Sequence, residues 1–256
     1  LYSDIMNPVA SIGIEFDIVP NVGPVIDNPI RHRRDVEQLQ PIDVEGDLSH
    51  VLETIRILDR ELDIPLITFA GAPFTLASYL IEGRPSKNYL RTKQLMYSEP
   101  EVWDQLMDKL SQMVITYLRA HIHNGAKAIQ LFDSWVGALT PEDYTRYVLP
   151  SVRRIFAALA DFEQPKIYFP GVASGELLPV LRGLRADVIS LDWRISIEEG
   201  RRRLDGAYAV QGNLDPTVLT APLDVLKRYA ENIIRQGIAQ PGYIFNLGHG
   251  LFPEAS

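Results

Sequence analysis

The chain has 256 residues, 46% of them hydrophobic and 23% charged, and a formal net charge of −8. These values describe an ordinary globular protein and exclude a disordered one, and the acidic balance disfavours nonspecific nucleic-acid binding. There is no cysteine, which excludes disulfides, thiolate nucleophiles and cysteine zinc sites and suits a reducing, cytoplasmic compartment.

No stretch approaches the roughly eighteen consecutive apolar residues that a spanning helix needs, so no membrane association is expected. Leu1-Tyr2-Ser3-Asp4-Ile5-Met6 reads as the end of a strand rather than a signal peptide, because no basic region or cleavage site precedes it. Residues 14–30 form an excursion: Ile14, Phe16 and Ile18 alternate, and Pro20-Asn21-Val22-Gly23-Pro24 turns the chain, predicting a hairpin.

Leu48, Val51, Leu52, Ile55, Leu58 and Leu62 fall at helical spacing. An apolar run at 66–69 then ends in Ala70-Gly71-Ala72-Pro73 and predicts a buried strand. Val102, Leu106, Leu110, Met113, Val114, Tyr117 and Leu118 mark a longer helix ended by Gly125. Further strands are predicted at 128–132, 167–169, 188–191, 208–210 and 243–245, each ending in small or polar residues. Thr140-Pro141-Glu142-Asp143 starts a helix, and the Ser196/Glu199 spacing starts another.

With the stub ending at Asp4, this predicts seven strands alternating with helices, hence a parallel sheet. The fold class that fits is α/β, a (β/α)8 TIM-type barrel lacking its first strand and its C-terminal helix. An open doubly wound sheet is the alternative. No linker interrupts the chain, so residues 1–256 read as one barrel domain, incomplete at both ends.

In such a barrel the reacting groups sit at the C-terminal ends of the strands. That shortlists Asp4, the loop from Gly71 to Tyr79, Asp133-Ser134, Gly171, Asp192-Trp193, Gly212-Asn213 and His249. His121 and His123, two apart on a helix, point to different faces and make no metal site. Nucleotide-binding glycine motifs are absent.

Each candidate also has a structural reading. Asp4 and Ser134 suit helix caps, and Tyr79 beside Leu76 and Leu80 suits the core. His249 between two glycines has little to pack on. Asp133, Asp192 and Asp215 are expected to bind backbone amides of the rim. The tight turn Gly71-Ala72-Pro73 either brings backbone close to a ligand or is only a turn. Arg201-Arg202-Arg203, following Glu198-Glu199, is expected on a solvated face.

Seven strings occur in order along the whole chain: Leu1-Tyr2-Ser3-Asp4-Ile5, Gly71-Ala72-Pro73-Phe74-Thr75-Leu76, Tyr79-Leu80-Ile81-Glu82-Gly83, Leu131-Phe132-Asp133-Ser134-Trp135, Leu191-Asp192-Trp193, Gln211-Gly212-Asn213-Leu214-Asp215-Pro216 and Asn246-Leu247-Gly248-His249-Gly250. Together they resemble the uroporphyrinogen decarboxylase family. The resemblance implies loss of four acetate carboxyls from uroporphyrinogen III, giving coproporphyrinogen III, with neither metal nor organic cofactor.

It puts the family's central aspartate at Asp4, its substrate-binding tyrosine at Tyr79, its hydroxyl residue at Ser134 and its histidine at His249. Asp4 and Tyr79 are the catalytic pair, and all four bind substrate. The resemblance also implies a homodimer with facing clefts. The family's arginine-rich stretch would lie upstream of Leu1, so a chain starting at Leu1 is expected to lack activity. Two other readings stay open: a cobamide-dependent methyltransferase of the same superfamily, which the missing cysteines disfavour, and a non-catalytic tetrapyrrole-binding barrel.

Overall fold

In a computed structural model, the structure describes residues 4–20 and 22–252. Eight strands are present among them: β1 (Asp17–Val19), β2 (Gly23–Val25), β3 (Ile67–Gly71), β4 (Ala128–Phe132), β5 (Lys166–Phe169), β6 (Val188–Ser190), β7 (Ala209–Leu214) and β8 (Tyr243–Leu247). β1 and β2 form the expected antiparallel hairpin, with Asp17 opposite Val25. The other six pair in sequence order, β3 to β8, and every pairing is parallel.

Strictly sequential order separates a barrel from a doubly wound sheet, whose order reverses at a switch point. Side chains inside the sheet make the same distinction. Gln211 on β7 donates a hydrogen bond to Gln130 on β4 at 3.3 Å and another to Ser190 on β6 at 3.3 Å. In a flat sheet, strands three apart would be separated by roughly 14 Å. The sheet is therefore rolled, with β4 and β7 facing each other across the lumen.

The strand expected to end at Asp4 falls on residues 1–3, outside the described residues. Asp4 itself precedes a turn and a short helix, Asn7–Ser11. β7 is longer than the apolar run predicts, because Gln211, Gly212 and Asn213 continue it. β4, β5 and β6 are buried almost throughout, whereas β8 is not, with Ile244 and Phe245 exposed. β3 and β8 are the end strands of this sheet, each with one partner among the described residues.

The predicted helices form at Ser49–Glu61 and Pro100–His123. Thr140 accepts a hydrogen bond from the Asp143 amide, and Ser196 accepts one from that of Glu199, as expected of helix caps. One apolar cluster runs from Met6 to Val210. Trp103, fully buried on the long helix, donates its indole N–H to the Tyr147 carbonyl at 2.9 Å.

The arginine run departs from expectation at Arg201. Its side chain is buried and donates to the carbonyls of Gly237, Gln240 and Gly242 and to the Gln240 side chain. Only Arg202 and Arg203 face outward, both paired with Glu199. Arg201 helps fix the turn between the helix Leu223–Ile238 and β8.

Candidate active site

A cavity of about 520 Å³ opens among the C-terminal ends of the strands, within the range for small-molecule sites. Its floor is the polar trio Gln130, Ser190 and Gln211. Above the floor sit Phe69, Phe132 and Phe169, in edge-to-face contact at 5.5 Å and 6.0 Å between successive rings. Gln130 and Phe132 both face inward because side chains two apart share a face of a strand. In the sequence these phenylalanines are ordinary strand residues, marked only by an aromatic near each of three successive strand tips.

Ser134 and His249 both line this cavity. Ser134 follows β4 and is half-buried. Its hydroxyl makes no hydrogen bond to another described residue, and Trp135, at the N-cap of the next short helix, receives no side-chain cap. The capping reading of Ser134 is thus not realised. Gly171, at φ +76°, lies so close beneath this loop that a Cβ would sit 2.5 Å from the Ser134 carbonyl oxygen.

His249 packs edge-to-face against Phe169 at 6.2 Å and Trp193 at 6.3 Å. The two glycines beside it do not leave it without packing, because its neighbours come from other strand tips. Burial holds its pKa below the ordinary value and the Arg194 charge adds to this, while Asp192 and the Gly250 backbone oppose it. The imidazole is therefore neutral at pH 7. Arg194 stacks on Trp193 with its guanidinium carbon 4.1 Å from the ring centre.

Asp4 is exposed and does not itself line the cavity, although its neighbour Ile5 does. One carboxylate oxygen accepts the Met6 amide at 2.8 Å, orienting the carboxylate at the start of the short helix. The bond falls ahead of the helix, whose N-cap Met6 receives no side-chain cap, so the capping reading of Asp4 is not realised. Gly71 makes room for this segment, since a Cβ there would meet Ile5 at 3.1 Å and Leu76 at 2.8 Å; the turn serves packing.

Tyr79 stands on the helix Pro73–Glu82, half-buried, with its ring 6.1 Å from Trp135. Burial raises its pKa and the nearby Asp4 charge raises it further, against a hydrogen bond from Trp135. It stays a protonated donor at neutral pH. The structure thus couples Asp4 to Tyr79 and puts Ser134 and His249 on one cavity.

The three rim aspartates are engaged within the protein. Asp192 accepts the amides of Ala173 and Arg194, and Asp215 accepts that of Thr217. Asp133 binds mainly hydroxyls rather than the expected amides: Thr75 at 2.9 Å and Tyr168 at 2.9 Å, with the Thr75 amide at 3.3 Å. His121 is buried while His123 is exposed, and no group of three or more potential ligands is positioned for a metal among the described residues. No helix among them is long and apolar enough to cross a membrane.

Fold and cleft together define an α/β-barrel enzyme with its site at the carboxyl ends of the strands. The sequence matches the family described as Uroporphyrinogen decarboxylase (URO-D) over residues 1–256. It is 56% identical to the uroporphyrinogen decarboxylase of Geobacillus thermodenitrificans over 99% of this chain and 73% of that protein. Identity to the enzyme of the same name from Bacillus cytotoxicus is 53%, over 100% and 73%. A methyltransferase from Methanosarcina mazei superposes with a TM-score of 0.79 at 16% identity, covering 100% of this chain and 75% of that one; at that identity the likeness shows the fold alone. The chain belongs to the uroporphyrinogen decarboxylase family, a family of carboxy-lyases.

Proposed function

We propose that this chain, as one barrel domain and together with the arginine-rich stretch that the resemblance puts upstream of Leu1, removes the four acetate carboxyl groups of uroporphyrinogen III to give coproporphyrinogen III. The observation that carries the reading is the joint placement of Ser134 and His249 on one cavity, with the Asp4 carboxylate next to the lining residue Ile5 and acting on Tyr79. Family membership supplies the reaction.

The chemistry follows from the substrate. A carboxylate leaving a pyrrole acetate leaves behind the electron pair of the broken C–C bond. Protonating the ring first makes a cation that accepts this pair and becomes an exocyclic methylene. A second proton converts the methylene to methyl as the ring releases the first, so each cycle consumes one proton and releases one carbon dioxide. Asp4 accepts the pyrrole N–H groups and balances the cation.

Asp4 is exposed in the free protein, so this attraction develops once the macrocycle covers it. At about 4 Å and an effective dielectric near 20, a unit pair gains roughly 4 kcal/mol, or about a thousandfold in rate. Tyr79 and neutral His249 donate to substrate carboxylates, and Ser134 adds a hydrogen bond.

The same proposal has protein groups carrying the reaction without a cofactor, in a cytoplasmic homodimer whose clefts face each other. The full-length protein, given uroporphyrinogen under reducing conditions, is expected to release carboxyl groups at a rate unaffected by dialysis against EDTA, and to sediment as a dimer. Unimpaired turnover by Asp4→Ala would sink the mechanism.

A further inference from the structure

Beyond Tyr79 its helix ends at Gly83, in the left-handed conformation at φ +79°, and residues 84–91 turn back beside the strand that leaves the hairpin. Two backbone hydrogen bonds tie the end of this helix to the segment that follows the hairpin: Ile26 N–H to the Gly83 carbonyl and Ile30 N–H to the Leu80 carbonyl, each 2.8 Å. Between them lies a second cavity, of about 540 Å³. Its charged lining is Arg31, Arg84, Lys87 and Arg91 against Asp27 and Glu82.

Four cations face two carboxylates in this lining, in a chain of net charge −8. Elsewhere Arg33, Arg56, Arg60, Arg154, Arg182 and Arg203 each pair with a carboxylate, and what sets the present group apart is that its cations line a single cavity. Arg84, Lys87 and Arg91 are exposed and make no ion pair among the described residues. Glu82 is already committed to the Thr92 amide and hydroxyl, both at 2.9 Å. Arg31 is anchored on the carbonyls of Ile30 and Ile81; the charge of Arg91 acts on it, and those of Glu82 and Asp35 partly offset this. Arg84, Lys87 and Arg91 are therefore the cations of this cleft left facing solvent.

A run of aromatic rings leads from it towards Tyr79. Tyr89, between Lys87 and Arg91, contacts Trp135 at 6.0 Å, and Trp135 contacts Tyr79 at 6.1 Å. Uroporphyrinogen carries carboxylates around its whole perimeter, four acetates and four propionates, and a macrocycle seated at Asp4 projects some of them past Tyr79. We propose that this cleft is an accessory anion subsite that takes peripheral carboxylates of the substrate, with Arg84, Lys87 and Arg91 as its contacts and Arg31 as its fixed base. This inference rests on the function proposed above.

The test compares the octacarboxylic porphyrinogen with a pentacarboxylic one in initial-rate measurements at low and moderate salt. The combined variant R84Q/K87Q/R91Q is expected to raise KM for the octacarboxylate about tenfold, the sum of three exposed ion pairs. The pentacarboxylate should lose less, and the salt dependence of KM should flatten. The control R56Q/R60Q/R154Q removes equal charge from the outer helices and should leave both KM values in place. Equal losses for both substrates, no loss, or the same loss in the control would each overturn the subsite. A parent protein that turns over neither substrate overturns the proposed function instead. The subsite is then read from quenching of tryptophan fluorescence by the octacarboxylate, which the three substitutions must weaken; absence of quenching in the parent overturns both.

Discussion

The carboxylate of Asp133 accepts the hydroxyl of Tyr168 at 2.9 Å, and the Tyr168 hydroxyl meets that of Tyr144 at 2.9 Å. With Thr75 on the other carboxylate oxygen, this chain of polar groups ties the tip of β4 to β5 and to two helices, wholly inside the protein. It lies one residue from Ser134 and holds the loop that presents it.

Burial raises the pKa of Asp133 from 3.8 to about 7, against the hydrogen bonds from Tyr168 and Thr75. A carboxyl whose folded pKa lies above its unfolded one gives stability that is full below pH 3.8 and is lost as pH rises through about 7. The loss is on the order of 4 kcal/mol. Asp133→Asn keeps the shape without the buried charge. Urea unfolding from pH 4 to 8 should show the variant gaining on the parent as pH rises; parallel curves would contradict this account.

His121 supplies the opposite slope. It is fully buried against the Tyr117 ring at 4.0 Å, with no hydrogen-bond partner on either nitrogen among the described residues. Burial lowers its pKa from 6.5 to about 3. Stability is full above pH 6.5 and is lost as pH falls towards 3, by on the order of 5 kcal/mol. His121→Leu should flatten the acid limb of the stability curve. Because Asp133 and His121 tilt stability oppositely between about pH 4 and 6.5, the parent should be flatter there than either variant.

Asp4→Asn should retain the Met6 amide contact and leave the melting temperature within about 2 °C, the effect of a few tenths of a kcal/mol in a domain of this size. Turnover should nevertheless fall about a hundredfold or more, since the charge facing the ring cation is gone. Tyr79→Phe should cost roughly tenfold, the value of one hydrogen bond to a charged group. A melting temperature that falls with the rate would reassign Asp4 to a structural role.

Gly171→Ala tests the support beneath Ser134. Its positive φ disfavours any side chain by about 1–2 kcal/mol, and the new Cβ would strike the Ser134 carbonyl. Unfolding free energy and kcat should fall together, whereas Gly206→Ala, with φ +63° and nothing within 4 Å, should lower only the first.

The barrel was legible because each strand tip carries its own punctuation: Gly71-Ala72-Pro73, Asp133-Ser134 and Gly248-His249-Gly250 all stand where short apolar runs stop. The four candidate site residues were legible only as members of ordered strings, since an aspartate at a strand end resembles a cap by itself, although Asp4 caps no helix. Other features depend on tertiary contacts that no local pattern encodes. Arg201 looked solvated because its neighbours are charged, yet the carbonyls that bury it come from residues 237–242. The link from Asp133 to Tyr168 joins residues 35 positions apart, and the phenylalanine ring needs the sheet rolled before its members meet.

The bond between Gln211 and Gln130 has a further consequence for traffic. By bridging opposite walls at 3.3 Å, these side chains block passage straight down the lumen among the described residues. A molecule bearing several reactive arms is then expected to present another arm by turning at the mouth or by departing and returning, so the width of that mouth governs how many arms are processed per visit.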